Sequence, residues 1–179
     1  MAGQYFYGFH VWGTPASKIL QFCKDNKASV PRATWTDESK LHVTLRFVGD
    51  KCPDAPTGMD TLARLGVKLP PIKLHVKGMG TFNNRSGPRV LFATVSPLEE
   101  LKQLNKEFGG NPATFTPHLT VAKLEDTGDA EPEFATLAQH NCTVDFGTCV
   151  IDELKLYQTQ GGGKPYKVVA FHRLIGNAL

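Results

Sequence analysis

Residues 41–48 read LHVTLRFV, and residues 115–124 read FTPHLTVAKL. In the first run Leu41, Val43, Leu45 and Phe47 alternate with His42, Thr44 and Arg46. A period of two marks a strand with one face buried, because successive side chains leave the pleat in opposite directions. The second run repeats the pattern with His118 and Thr120 set against Leu119 and Val121. There Leu124 falls on the histidine side, so the alternation holds for only about five residues. Two half-buried strands, each with His-x-Thr on its polar side, thus stand one in each half of the chain, and the question they raise is what two such units do if they face each other.

The remaining segments fit around them. YFYGFHVW (5–12) reads as a buried opening strand. Thr14 and Pro15 read as a capping hydroxyl and a first-turn proline, with Ala16, Ile19, Leu20 and Cys23 forming one apolar helical face and an end near Asn26. A short helical stretch is expected over Met59, Leu62 and Leu65. Residues 72–79 and 89–95 read as strands flanking a loop, TFNNRSGP. Ser96, Pro97 and Glu99 suggest a capped helix carrying Leu98, Leu101, Leu104 and Phe108, stopped by Gly109 and Gly110. A short helix over 131–140 and a final strand pair joined by TQGGGKP complete the chain. The expected fold is α+β, with two packed antiparallel sheets of similar design in a single domain spanning residues 1–179.

Composition narrows the function classes. A hydrophobic content of 41% builds an ordinary core, and 21% charged residues argue against disorder. A formal charge of +3, with no run of five like charges, permits an anionic ligand without requiring a nucleic acid scaffold. Cys23, Cys52, Cys142 and Cys149 form no C-x-x-C and no zinc-finger spacing, so reduced thiols in a cytoplasmic or nuclear compartment are expected. The opening residues lack the pattern of a secretory signal, and no apolar run approaches the ~18 residues of a membrane span. GGGK (161–164) is not a phosphate-binding loop: Pro165 follows Lys164 where a hydroxyl residue is required.

Residues two apart on a strand project from the same face, so each histidine neighbours its threonine. Imidazole moves protons near neutral pH. One histidine can activate a nucleophile while the other, protonated, serves the departing oxygen. The threonine hydroxyls can donate to non-bridging oxygens as charge builds on them. With no carboxylate cluster, the set calls for no metal and no cofactor. It suits cleavage of a phosphodiester, by a vicinal ribose hydroxyl or, for a 2',3'-cyclic phosphate, by water. Arg46 shares the His42 and Thr44 face and is a candidate for phosphate contact. Lys123 falls on the opposite face from His118 by alternation and is not a candidate.

With these residues in view, the sequence resembles the 2H phosphoesterase superfamily, defined by two H-x-[T/S]-x motifs in a pseudo-symmetric fold. LHVTLRFVG and FTPHLTVAKL resemble its signatures; LHVKGMGTFNNRSGPRVLFATV resembles the hairpin between them, and FGTCVIDELKLYQT the closing strand. The similarity runs from Tyr5 to Ile175 and looks closest to the branch holding the A-kinase anchoring protein central domain and the viral 2',5'-phosphodiesterases. The bacterial and archaeal RNA 2',3'-cyclic phosphodiesterases are similar at both motifs too. The resemblance implies a bilobal sheet with a central cleft, helices outside, and His42, Thr44, His118 and Thr120 as catalytic residues on its floor. It also implies base contact by Phe82, in the Gly-x-Gly-x-Phe segment, and nucleotide contact by Tyr166 and Lys164. Which histidine is acid and which is base stays open.

The leading expectation is a metal-independent phosphodiesterase acting on 2',5'-linked oligoadenylates. Opening of RNA 2',3'-cyclic phosphates is second, followed by a cyclic dinucleotide. A non-catalytic nucleotide-binding module and an interaction domain on a retained fold are the alternatives from other classes. The expected partner is a nucleotide or short oligonucleotide, with no membrane, and the chain is expected to be a monomer.

Overall fold

The computed structural model describes residues 3–52, 57–124 and 131–177. Their strands are β1 (Tyr5–His10), β2 (Thr34–Trp35), β3 (His42–Gly49), β4 (Ile72–Asn84), β5 (Gly87–Ser96), β6 (His118–Lys123), β7 (Asp145–Ile151), β8 (Glu153–Gln158) and β9 (Lys167–Arg173). The helices are α1 (Gly13–Asn26), α2 (Thr57–Lys68), α3 (Leu98–Glu107) and α4 (Pro132–His140). Strand order is β7-β4-β5-β6-β3-β1-β8-β9, with β2 also paired to β6, and every pairing is antiparallel.

The expected α+β architecture is present, and its two sheets are two lobes of one sheet. They join at a single pair, Val43 opposite Leu119, where β3 meets β6. Helices α2 and α3 cover the lobe of β3, β1, β8 and β9, whereas α1 and α4 cover the lobe of β7, β4, β5 and β6. The unit β1-α1-β3 therefore mirrors β5-α3-β6, each helix crossing to cover the lobe its preceding strand does not belong to. Val43 and Leu119 are fully buried, as are Phe9, Leu41, Leu45 and Val121. Apolar burial of this kind dominates the stability of the arrangement.

Both motif strands carry a bulge directly after the threonine. Tyr7 pairs with Arg46 and Gly8 with Thr44, which leaves Leu45 as an extra residue in β3. Leu91 pairs with Ala122 and Phe92 with Thr120, which leaves Val121 extra in β6. An extra residue resets the alternation of everything that follows. Phe47, expected in the core, is 57% exposed, and Leu124, out of phase in the sequence, is buried.

Several local expectations are corrected. Helix α1 is capped by Trp12 rather than Thr14, and α3 by Pro97 rather than Ser96; neither has a side-chain capping bond. The TFNNRSGP segment is mostly strand, since β4 and β5 run on to a tight turn at Arg85 and Ser86. The first strand expected of the final pair, CVIDELKLYQ (149–158), is instead split between β7 and β8, which end up in different lobes.

Candidate active site

The seam between the lobes determines the site. With Val43 opposite Leu119, antiparallel register sets His42 across from Thr120 and Thr44 across from His118. Val43 and Leu119 point into the core, so the histidines and threonines project from the other face. His42, Thr44, His118 and Thr120 all line one cavity of about 520 Å³.

The two imidazoles are held alike. His42 Nδ1 lies 2.7 Å from the Lys40 carbonyl oxygen, and His118 Nδ1 lies 2.8 Å from that of Thr116. A carbonyl only accepts, so each Nδ1 carries the hydrogen and each neutral ring presents a bare Nε2. His42 Nε2 accepts from the Thr44 hydroxyl at 3.1 Å. Among the described residues no such bond joins His118 to Thr120, so the arrangement is symmetric in strands and asymmetric in its resting contacts.

Aromatic rings surround both histidines. Phe6, Tyr166 and Tyr157 lie 5.1, 4.9 and 6.2 Å from His42 between ring centroids. Phe82 and Phe92 lie 4.7 and 5.5 Å from His118. This packing removes water and disfavours the charged imidazolium. Burial pushes His42 down to about 4, with the nearby positive fields of His118, His10 and Lys123 acting in the same direction and the Lys40 carbonyl opposing them. Burial also lowers His118, against the pull of the Thr116 carbonyl.

The sequence-derived binding candidates divide between two spaces. Tyr166 and Lys164 line the main cavity, beside the turn of Gly161, Gly162 and Gly163. Phe82 and Arg46 line a second cavity of about 360 Å³, which shares Thr44, Phe47 and His118 with the first. Arg46 thus leaves the His42 and Thr44 row, because the Leu45 bulge intervenes. Phe82 stacks on Phe92 at 4.3 Å and meets His118 edge-on.

Two lining residues escaped the alternation argument. Phe47 and Lys123 each lie five positions after a motif histidine, and the bulges turn both back to the cleft, where both line the main cavity. The out-of-phase Leu124 was the available signal: one extra residue in β6 puts Leu124 in the core and Lys123 in the cavity. Among the described residues, no group of three His, Cys, Asp or Glu is placed to hold a metal ion.

A fold with two symmetry-related His-x-Thr strands meeting in one cleft defines a class, and comparison with known proteins identifies it. Residues 26–163 match the 2'-5' RNA ligase superfamily, and the chain belongs to that family. A Geobacillus stearothermophilus protein named RNA 2',3'-cyclic phosphodiesterase is 28% identical over 184 residues, covering 96% of this chain and 57% of its own length. The chain thus spans little more than half of that relative. A crystal structure of a Thermus thermophilus protein has a similar fold, with TM-score 0.77 and 20% identity, over 98% of this chain and 100% of that one. E. coli LigT, in a crystal structure complexed with ATP, has TM-score 0.66 and 19% identity, over 96% and 98% of the two chains.

Proposed function

We propose that this protein is a metal-independent phosphodiesterase that opens ribonucleotide 2',3'-cyclic phosphates, as at the 3' end of an RNA. The observation that carries this reading is the convergence of His42, Thr44, His118 and Thr120 on one cavity, with both rings held through Nδ1. The name of the Geobacillus relative favours this substrate over 2',5'-linked oligoadenylate, which the sequence placed first. The ATP complex of LigT supports a nucleotide as the ligand.

The chemistry follows from the two rings. His42 is neutral at neutral pH and its Nε2 carries no hydrogen, which suits a base. It takes a proton from water as the water oxygen bonds to phosphorus. The bond from phosphorus to one ribose oxygen breaks, and protonated His118 gives that oxygen its Nε2 proton. The phosphate's negative charge, held between the rings, is what raises His118 enough to carry a proton. As water takes its place at His42 Nε2, Thr44 turns its one hydroxyl hydrogen from that nitrogen to a non-bridging oxygen, and Thr120 donates to another. The product is a phosphomonoester with a free neighbouring hydroxyl, and solvent restores the two protonation states.

The second reading, cleavage of a 2',5'-linked oligoadenylate, is favoured by one feature. The second cavity, reached past Thr44 and His118, offers room for a nucleoside on the far side of the phosphate. The deciding experiment incubates the protein in EDTA with nucleoside 2',3'-cyclic phosphates, RNA bearing a cyclic phosphate end, and 2',5'- and 3',5'-linked oligoadenylates. Chromatography should show ring opening of the cyclic phosphates. Turnover of the 2',5' linkage alone would transfer the assignment to the second reading, and tight nucleotide binding with no turnover would make the chain a binding module.

A further inference from the structure

At each bulge that turns Phe47 or Lys123 into the cleft, the carbonyl of the extra residue accepts from a group outside the bulged strand pair, β1–β3 or β5–β6. In β6 the Val121 carbonyl accepts from the Thr36 backbone N–H at 2.9 Å and from the Cys23 thiol of α1 at 3.7 Å. In β3 the Leu45 carbonyl accepts from Asn105 Nδ2 of α3 at 2.7 Å. Helices α1 and α3 are equivalent in the two-fold plan, so a side chain from each covering helix reaches the extra residue of its own lobe.

Asn105 is a costly residue at this place. It is 95% buried by area, at 5% exposure, and its Oδ1 has no hydrogen-bond partner. Burying an unpaired amide oxygen is unfavourable, and the bond donated to Leu45 is what offsets it. The surroundings leave the amide little freedom: a Cβ added to Gly110 would come within 2.2 Å of Nδ2. Beyond Leu45 the chain continues to Phe47, 57% exposed and lining both cavities.

We propose that Asn105 is a positioning residue for substrate: by holding the Leu45 carbonyl it maintains the β3 bulge and so directs Phe47 at the bound nucleoside. The assignment deepens the reading of the cleft as a nucleotide site and rests on it. Asn105 lines the second cavity beside Phe47 and takes no part in the wall of the main one, where the two histidines and two threonines meet, so its loss acts on substrate affinity more than on the proton transfers.

The test is a double-mutant cycle on adenosine 2',3'-cyclic phosphate. Asn105→Leu keeps the approximate shape and removes the donor, Phe47→Ala removes the ring, and both are combined. Asn105→Leu should raise KM about tenfold, with kcat within about threefold of the parent. Added to Phe47→Ala, it should raise KM no further. Multiplying effects, a fall in kcat at unchanged KM, or an unchanged KM would each overturn the proposal. Should the leucine variant fail to fold, Gly110→Ala, which crowds the amide without removing it, enters the same cycle with the same criteria. Should the parent protein open no cyclic phosphate, the functional reading fails separately. A crystal structure of the leucine or alanine variant then decides for Asn105: Phe47 displaced from the cleft supports the role, and Phe47 in place ends it.

Discussion

Val43 lies directly opposite Leu119 at the only pair that joins β3 to β6 among the described residues, and both side chains are completely buried. From that contact the order of the cleft floor follows: histidine faces threonine in both directions across the seam. The arrangement explains why the same three-residue pattern occurs in both halves of the chain. A two-fold relation between strands converts one motif into a cleft with an imidazole and a hydroxyl on each side.

Replacing either histidine should remove the chemistry and leave the fold. His42→Ala and His118→Ala are each expected to lower kcat by about 10²–10⁴-fold, the usual contribution of one acid–base group. Chromatographic product analysis gives the rate, and circular dichroism checks that the variants fold. Turnover within a few fold of the parent would exclude the ring concerned.

Acid should destabilise the protein through His42. In the unfolded chain the ring takes up a proton near pH ~6.5, whereas the fold holds it down to about 4. Its stabilising contribution is complete above pH ~6.5, shrinks as the pH falls, and is exhausted near the lower value, a range on the order of 3 kcal/mol. His118 is shifted in the same direction. Thermal melts from pH 7 down to 4 should show a fall in Tm, smaller in His42→Gln, and bound inorganic phosphate should oppose it.

Lys123→Met should raise the pKa of His42, because the ammonium is among the charges that depress it. The same change should weaken substrate binding, since a cation leaves the wall of the cavity. Following the imidazole resonances of His42 by NMR titration tests the first effect, and KM tests the second. A downward move of the titration would show that the lysine acts otherwise.

Leu119→Ala should destabilise the protein by about 2–5 kcal/mol, the range for removing a fully buried leucine. Urea denaturation measures it. A cost below about 1 kcal/mol would mean that the seam is not close-packed.

Much of this molecule was legible in one dimension, and the exceptions have a common origin. His42, Thr44, His118 and Thr120 could be placed on a shared face because strand alternation is a local rule. Phe47, Arg46 and Lys123 were misplaced because the bulges at Leu45 and Val121 depend on partners elsewhere in the chain: β1 and Asn105 for the first, β5, β2 and Cys23 for the second. The broken phase at Leu124 recorded one bulge; nothing comparable marked the other, because Val48 and Gly49 follow Phe47 and the strand ends. The long β4–β5 hairpin was hidden for a similar reason. Its Asn, Ser, Gly and Pro residues favour a loop locally, yet β4 and β5 go on pairing with each other as far as Asn84 opposite Gly87, beyond the last residues that β7 and β6 reach. Thr14 does not cap because it lies inside the first turn of α1, and Ser96 does not because it is the last residue of β5.

Gly161, Gly162 and Gly163 all have positive φ, at 71°, 58° and 74°, and a Cβ on any of them would meet nothing within 4 Å. Between Gln160 and Lys164 the wall of the main cavity is therefore bare main chain. On the reading of the cleft as a nucleotide site, a wall of bare backbone leaves space for chain that continues beyond the bound end. Any preference for particular bases would then fall to the rings and cations elsewhere on the wall, Phe47, Tyr166, Lys123 and Lys164, since three consecutive glycines have no side chain with which to choose.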